Sequence, residues 1–281
     1  MTSPERTAAL DAALTVLACP VCLAAFARSG TALICSEGHT FDVAKQGYAA
    51  LATGATVPGD SAPMVRDRVA FLAAGHYRPI TDAVADAVPG DARWIADLAS
   101  GPGTYLAAAL ETHPEARGVA IDVSAPAART AAGAHPRAAA ATADLRRRVP
   151  LATGSIDAAL VVFGPRDGME LDRILASSGI AVIVIPEPEH LAELREPFGT
   201  LAVGPDKAQR LVDRMRPLRE AGRRRVLLRR TLSPADVARV VLMGPNGHHL
   251  DHDEVRARAE GIGDLAVTIA VRVLRFAREA G

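Results

Sequence analysis

The sequence has no net charge, no long apolar run and only three cysteines, and each shortage excludes something. Thirty-two Lys and Arg balance 32 Asp and Glu, which rules out the globally basic signature of a simple nucleic-acid binder but leaves room for a local patch. Only Lys45 and Lys207 are lysine, so the positive side is almost wholly arginine. No stretch of about 18 apolar residues occurs, and no membrane-spanning helix is expected. The opening MTSPERTAALDAALTVLACP lacks the cationic start and apolar run of a secretory leader, so a cytoplasmic location is expected. Three cysteines is an odd count, and all lie within 19–35; in a reducing compartment such clustering argues for metal before disulfide. Apolar residues are not lacking: 49% of 281 residues are hydrophobic, enough for a sizeable core. The length suits one large domain with a smaller attachment.

The cysteines read Cys19-Pro20-Val21-Cys22 and then Cys35-Ser36-Glu37-Gly38-His39. A C-x2-C knuckle followed by C-x3-H offers four ligands in two close pairs, which suits tetrahedral Zn²⁺ in a closed structural site. The segment between has room for a hairpin through Arg28-Ser29-Gly30. Residues 1–60 are mildly acidic, so any contact of this unit with nucleic acid rests on shape, not bulk charge.

Residues 53–63 are rich in Gly, Pro, Ser and Thr and read as a linker. Helical spacing follows over 64–88 with a break at Gly75-His76. Beyond Pro89-Gly90-Asp91, short β-branched runs at 94–99, 118–123, 156–163 and 180–185 alternate with helical stretches near 103–112, 125–134 and 168–176. That alternation predicts a doubly wound α/β sheet. AAATAD at 139–144 is a plausible third strand, and strand candidates at 225–232 and 265–276 flank a helix-rich 234–260. The expected division is a zinc-binding unit over 1–55, a helical linker over 56–92 and an α/β domain over 93–281.

The loop Asp97-Leu98-Ala99-Ser100-Gly101-Pro102-Gly103 sits where the first strand turns into a helix. Ala99 and Leu106 break the dinucleotide fingerprint G-x-G-x-x-G, and no Walker lysine is present. What fits is D-x-x-x-G-x-G, a loop that holds S-adenosylmethionine (SAM). An acidic residue ending the second strand is then expected to take the ribose hydroxyls, and Asp122 stands 21 residues after Gly101. Asp144 ends the third strand and is placed near the adenine.

With these motifs in order, the chain resembles the RlmA/TlrB family of 23S rRNA guanine-N1 methyltransferases nearly end to end. The carriers are CPVC…CSEGHTFDVAKQGYAAL at 19–51, GDSAPMVRDRVAFLAAGHYRPI at 59–80, DLASGPGTYL at 97–106 and IDVS at 121–124, with VVFGP at 161–165, IPEPEHLAEL at 185–194 and MGP at 243–245. The resemblance implies a Rossmann-like class I SAM methyltransferase fold with an N-terminal zinc-ribbon-like domain. It implies zinc at Cys19, Cys22, Cys35 and His39, and SAM contacts from Tyr77, Gly101, Pro102 and His190. It also implies a guanine in hairpin 35 of 23S rRNA as substrate, tylosin-type macrolide resistance and a homodimer. The sequence departs from the family at Ala99, where glycine is usual, at Ser100, at Gly164, where alanine is usual, and at 177–180.

Guanine N1 carries a proton at neutral pH, so a group must accept it or stabilise the O6 anion. Phe163 is placed to stack on a flipped base and Arg166 to favour the enolate oxygen. His248, His249 and His252 resemble a metal cluster but read better as the start of a helix. Residues 195–230 hold eleven basic and four acidic residues, and Arg146–Arg148 form a second run; such patches suit phosphate tracking. Two other functions stay open at this point: a SAM enzyme acting on a small metabolite, and a non-catalytic zinc- and RNA-binding protein.

Overall fold

The computed structural model describes residues 4–54, 58–202, 204 and 207–279. Helix α1 (Pro4–Ala13) precedes a small antiparallel sheet of β1 (Phe26–Ser29), β2 (Ala32–Cys35) and β3 (Thr40–Asp42). The hairpin between β1 and β2 turns at Gly30, whose φ of 60° favours a residue without a Cβ. Strand β4 (Ala49–Ala50) follows, then α2 (Ala62–Ala73) and α3 (Arg78–Ala85). Ser61 caps α2 by accepting from the Met64 amide, with Pro63 in the first turn. The break between the two helices falls at Gly75, φ 79°. Residues 55–57 of the expected linker, and with them the expected 55/56 boundary, lie outside the described residues.

From Trp94 strand and helix alternate: β5 (Trp94–Leu98), α4 (Thr104–Thr112), β6 (Arg117–Asp122), α5 (Ala125–Ala131), β7 (Ala138–Thr142), β8 (Ile156–Val162), α6 (Gly168–Ile174) and β9 (Leu175–Pro186). Short helix α7 (Arg195–Phe198) and α8 (Lys207–Arg214) lead to β10 (Arg219–Leu232), α9 (Pro234–Leu242), α10 (His252–Ile262) and β11 (Leu265–Ala277). These strands join β4 in one eight-stranded sheet of order β10-β11-β9-β8-β5-β6-β7-β4. Pairings from β4 to β9 are parallel, while β11 runs antiparallel to both β9 and β10. The chain reverses its winding at β5, so a ligand crevice opens at the carboxyl ends of the strands there.

Alternate side chains of the central strands feed two cores. Ile95, Ala120, Leu160 and Val182 pack with Phe71, Leu106, Leu110 and Val241 on one face. Ala96, Ile121, Val161 and Ile183 pack on the other face with Leu10, Leu17, Leu33 and Leu51 from the N-terminal unit, and with Leu171 and Leu211. The N-terminal unit is joined to the large sheet by more than side chains. Strand β4 pairs with β7 (Ala49 with Ala141, Ala50 with Thr142), and Leu17 bridges Leu151. It therefore covers an edge that would otherwise present unpaired backbone groups.

Strand β10 begins at Arg219, earlier than the apolar pattern from 225 suggested. It is the opposite edge strand and largely exposed, so its first half reads as a run of arginines and gives no strand period.

Candidate active site and metal centre

Strand β5 ends in a tightly wound loop: φ is 60° at Ala99, 54° at Gly101 and 82° at Gly103, which caps α4. A Cβ on Gly103 would approach Ala131 and Ala134 to within 3.2 Å, so glycine lets α4 start against the end of α5. The Gly101 amide donates to Asp122 Oδ2 at 2.8 Å, and the Ser124 amide donates to Oδ1 at 2.8 Å. Loop and second strand are thereby locked in register. The Asp122 carboxyl is pushed up by burial, against the pull of those two amides.

Asp97 lies beneath the loop, 1% exposed. Neither carboxylate oxygen has a well-formed hydrogen bond, and the backbone of Leu106 gives only a weak pull. Burial, then the neighbouring Asp122 charge, raises its pKa to about 7. The Ser100 hydroxyl is likewise buried without a partner. Such orphaned groups are costly unless a ligand or water completes them. A glycine-wound loop with an unpaired carboxyl at its start and a second carboxyl bonded to its backbone carries the donor set for a small zwitterion bearing a ribose, as SAM is.

At the neighbouring strand ends, three rings gather. Tyr77, Phe163 and His190 have centroids 5.8–6.2 Å apart, with Phe163 and His190 stacked at 29°. Phe163 leaves β8 at φ 58° and is 41% exposed, an unusual backbone state for a bulky residue. The Ala270 amide donates to His190 Nδ1 at 3.2 Å. A neutral ring then carries its proton on Nε2, which lies 3.1 Å from the Tyr77 hydroxyl. Burial pushes the Tyr77 phenol upward, so it stays protonated. His190 thus orients Tyr77 and offers no lone pair on that side.

Arg166 lies just beyond, donating to the Gly164 carbonyl at 2.9 Å. Burial and then the nearby Arg214 lower its pKa. Asp144 is held by Arg146, with Nε–Oδ1 3.1 Å and Nη2–Oδ2 2.9 Å. That hydrogen bonding outweighs burial and keeps its pKa low.

Sequence reasoning missed Asp60 and Arg68, which flank and enter α2. Arg68 pairs with Asp60 at 2.6 Å and donates to the Met243 carbonyl. Its Cδ and Nη1 lie 3.4 and 3.5 Å from the place a Gly101 Cβ would take, so it roofs the loop. The block 59–80 was legible as a unit, but no spacing rule singles out one polar residue within it. The basic run at 195–230 is partly neutralised: Arg224 meets Asp86 at 3.0 Å, Arg225 meets Glu187 and Glu189, and Arg223 meets Glu220. Asp206 and the Lys207 side chain lie outside the described residues.

In the small sheet, Cys19, Cys22 and Cys35 Sγ and His39 Nδ1 all lie within 4.8 Å of one another. The separations are 3.7 Å for Cys22–Cys35 and 3.3–3.7 Å from His39 to the three sulfurs. A tetrahedral Zn²⁺ with bonds of about 2.3 Å to sulfur and 2.0–2.1 Å to nitrogen requires edges of about 3.5–3.8 Å. Four of the six edges of the group are therefore close to those of the cage. Among the described residues this is the one His/Cys/Asp/Glu group that meets the geometry for a metal. His248 lies in a 3-10 turn and His252 opens α10.

Sheet order, loop and cage together define a Rossmann-like class I SAM methyltransferase carrying an N-terminal zinc ribbon. A family model for the N-terminal zinc ribbon of RlmA matches residues 17–52. The 23S rRNA (guanine(748)-N(1))-methyltransferase of Streptomyces fradiae is 40% identical over 92% of this chain and 96% of its own. A candidate 23S rRNA (guanine-N(1)-)-methyltransferase of Micromonospora griseorubida is equally similar, at 40% over the same shares. The chain belongs to this RlmA family of 23S rRNA (guanine-N1) methyltransferases. Among solved structures, the Haloferax volcanii complex of the Trm112 methyltransferase activator with its candidate methyltransferase aligns at TM-score 0.52 and 15% identity, covering 80% of this chain and 100% of that one, a likeness of fold. No helix among the described residues is long and apolar enough to cross a membrane.

Proposed function

We propose that the protein transfers the SAM methyl group to N1 of a guanine in hairpin 35 of 23S rRNA. The observation that carries this reading is the 40% identity, along 92% of the chain, to proteins named as 23S rRNA guanine-N1 methyltransferases; hairpin 35 is the narrower part of the proposal. SAM supplies a methyl carbon already activated by its sulfonium, so the protein's task is alignment and exclusion of water. In this reading Gly101, Pro102 and Gly103 cradle the amino-acid end, with Asp97 beneath it and Tyr77, set by His190, beside it. Asp122 takes the ribose hydroxyls, and Asp144 keeps a lone pair on Oδ2 for the adenine edge. A base drawn from an RNA hairpin must leave its stack, and exposed Phe163 gives it a ring to lie on. Arg166 holds the O6 anion while the N1 proton leaves to solvent.

The three segments then divide the work. Residues 1–55 shape the RNA-facing surface around zinc, 56–92 roof the cofactor, and 93–281 carry the transfer and, through the arginines of 195–230, the phosphates. A homodimer presenting two such surfaces is part of the proposal.

The test is methylation of 23S rRNA from a strain lacking this modification. N1-methylguanine has lost its Watson–Crick face, so reverse transcription should stop beside one guanine in hairpin 35. Stops elsewhere, or none, overturn the reading. Arg166→Ala should lower kcat about 100-fold with KM little changed; unchanged kcat removes Arg166 from the mechanism.

A further inference from the structure

We propose that Arg68 is the carboxylate-binding residue of the cofactor site, a roof cation that grips the α-carboxylate of the SAM amino-acid end. The inference rests on the SAM reading of the cradle. Three observations support it. First, the Arg68 side chain lies directly over Gly101, 3.4–3.5 Å from where a Cβ would stand, and so over the most closely wound part of the loop. Second, its Nε is buried without a hydrogen-bond partner, although its Nη2 is engaged by Asp60 and the Met243 carbonyl. Third, Asp97, at the end of the strand that leads into the same loop, is buried with both carboxylate oxygens unpaired.

An unpaired carboxyl on one side and an incompletely bonded cation on the other match a zwitterion laid between them, ammonium toward Asp97 and carboxylate toward Arg68. The carboxylate is the only anionic group on SAM. Asp60 holds the guanidinium in place before binding, so Arg68 is presented already oriented. The roof also has a fixed attachment. Through the Met243 carbonyl, at the end of α9, Arg68 ties α2 to the helix packed beside it.

The experiment compares two probes by calorimetry: S-adenosylhomocysteine, which has the amino-acid end, and 5′-methylthioadenosine, which lacks it. Arg68→Ala should weaken the first about 10- to 100-fold, the value of a charge-assisted hydrogen bond, and leave the second within about twofold. Arg68→Lys, which keeps the cation, should recover part of the loss. Thermal melting of each variant checks that the fold is kept, and Asp60→Asn, which loosens the roof but spares the guanidinium, should weaken the first probe less than Arg68→Ala does. Equal weakening of both probes would make Arg68 a structural tie, and no weakening of either would show that it does not bind the cofactor; each overturns the proposal. If the unaltered protein bound neither probe, the SAM reading itself would fall with it.

Discussion

Gly164→Ala tests whether two departures from the family pattern are one. Gly164 follows Phe163 at the exit of β8, and a Cβ there would lie 2.6 Å from the Ala99 Cβ, 3.3 Å from the Leu98 carbonyl oxygen and 3.4 Å from Val161 Cγ1. Ordinary carbon–carbon contact is about 3.5–4 Å, so the first overlap is close to 1 Å. Neither methyl can rotate away, because each is fixed to backbone, and one of those backbones is the cofactor loop. Overpacking of this kind costs about 1–3 kcal/mol. Ala99→Gly removes the opposing methyl and also relieves alanine at φ 60°, a state that costs a non-glycine residue about 1–2 kcal/mol. The double variant should therefore recover most of the loss and restore the glycine-then-alanine pair usual in the family. Urea denaturation of all four proteins measures the coupling, expected at 1–3 kcal/mol against an additivity error of about 0.3–0.5 kcal/mol. S-adenosylhomocysteine affinity should follow the same order, lowest in Gly164→Ala. Additive effects would refute the reasoning and leave the two positions unrelated.

Two further outcomes are expected. Because the Asp97 pKa is about 7 when folded and 3.8 unfolded, its contribution is complete below pH 3.8 and is lost as pH rises through 7; the stability difference between unaltered protein and Asp97→Asn should shift by about 4 kcal/mol in favour of Asn between pH 4 and 8, and parallel urea profiles would contradict this. Chelation of zinc should raise amide hydrogen exchange in β1–β3 and also in β4 and β7, since β4 pairs with β7; protection unchanged at 138–142 would show that the sheet edge holds without the metal.

What the sequence made legible was local. The four metal ligands fall within 21 positions, the loop is one contiguous run, and Asp122 follows at a spacing set by one βαβ unit. The central strands were legible because both of their faces are buried and their runs are apolar throughout. Chain-distant partnerships left no such mark. Asp60 and Arg68 gain meaning only when α2 folds over a loop more than 30 residues further on. Ala99 and Gly164 read as two separate oddities until β8 is placed beside β5. Position alone puts Asp144 at the adenine edge and carries no sign of Arg146 closing over it. The two-residue β4 is too short to carry a period.

The pairing of β4 with β7 also sets an order of events at the ribosome. Cys19 through His39 can close on zinc as soon as that segment emerges, yet the partner of Ala50 is Thr142, about 90 residues later. At roughly 5–20 residues per second, the N-terminal unit waits on the order of 5–20 s with Leu10, Leu17, Leu33 and Leu51, all buried in the finished protein, still without the sheet that covers them. Early metal capture keeps β1–β3 paired with one another during that wait, so zinc governs when this chain becomes vulnerable to aggregation as well as how stable it finally is.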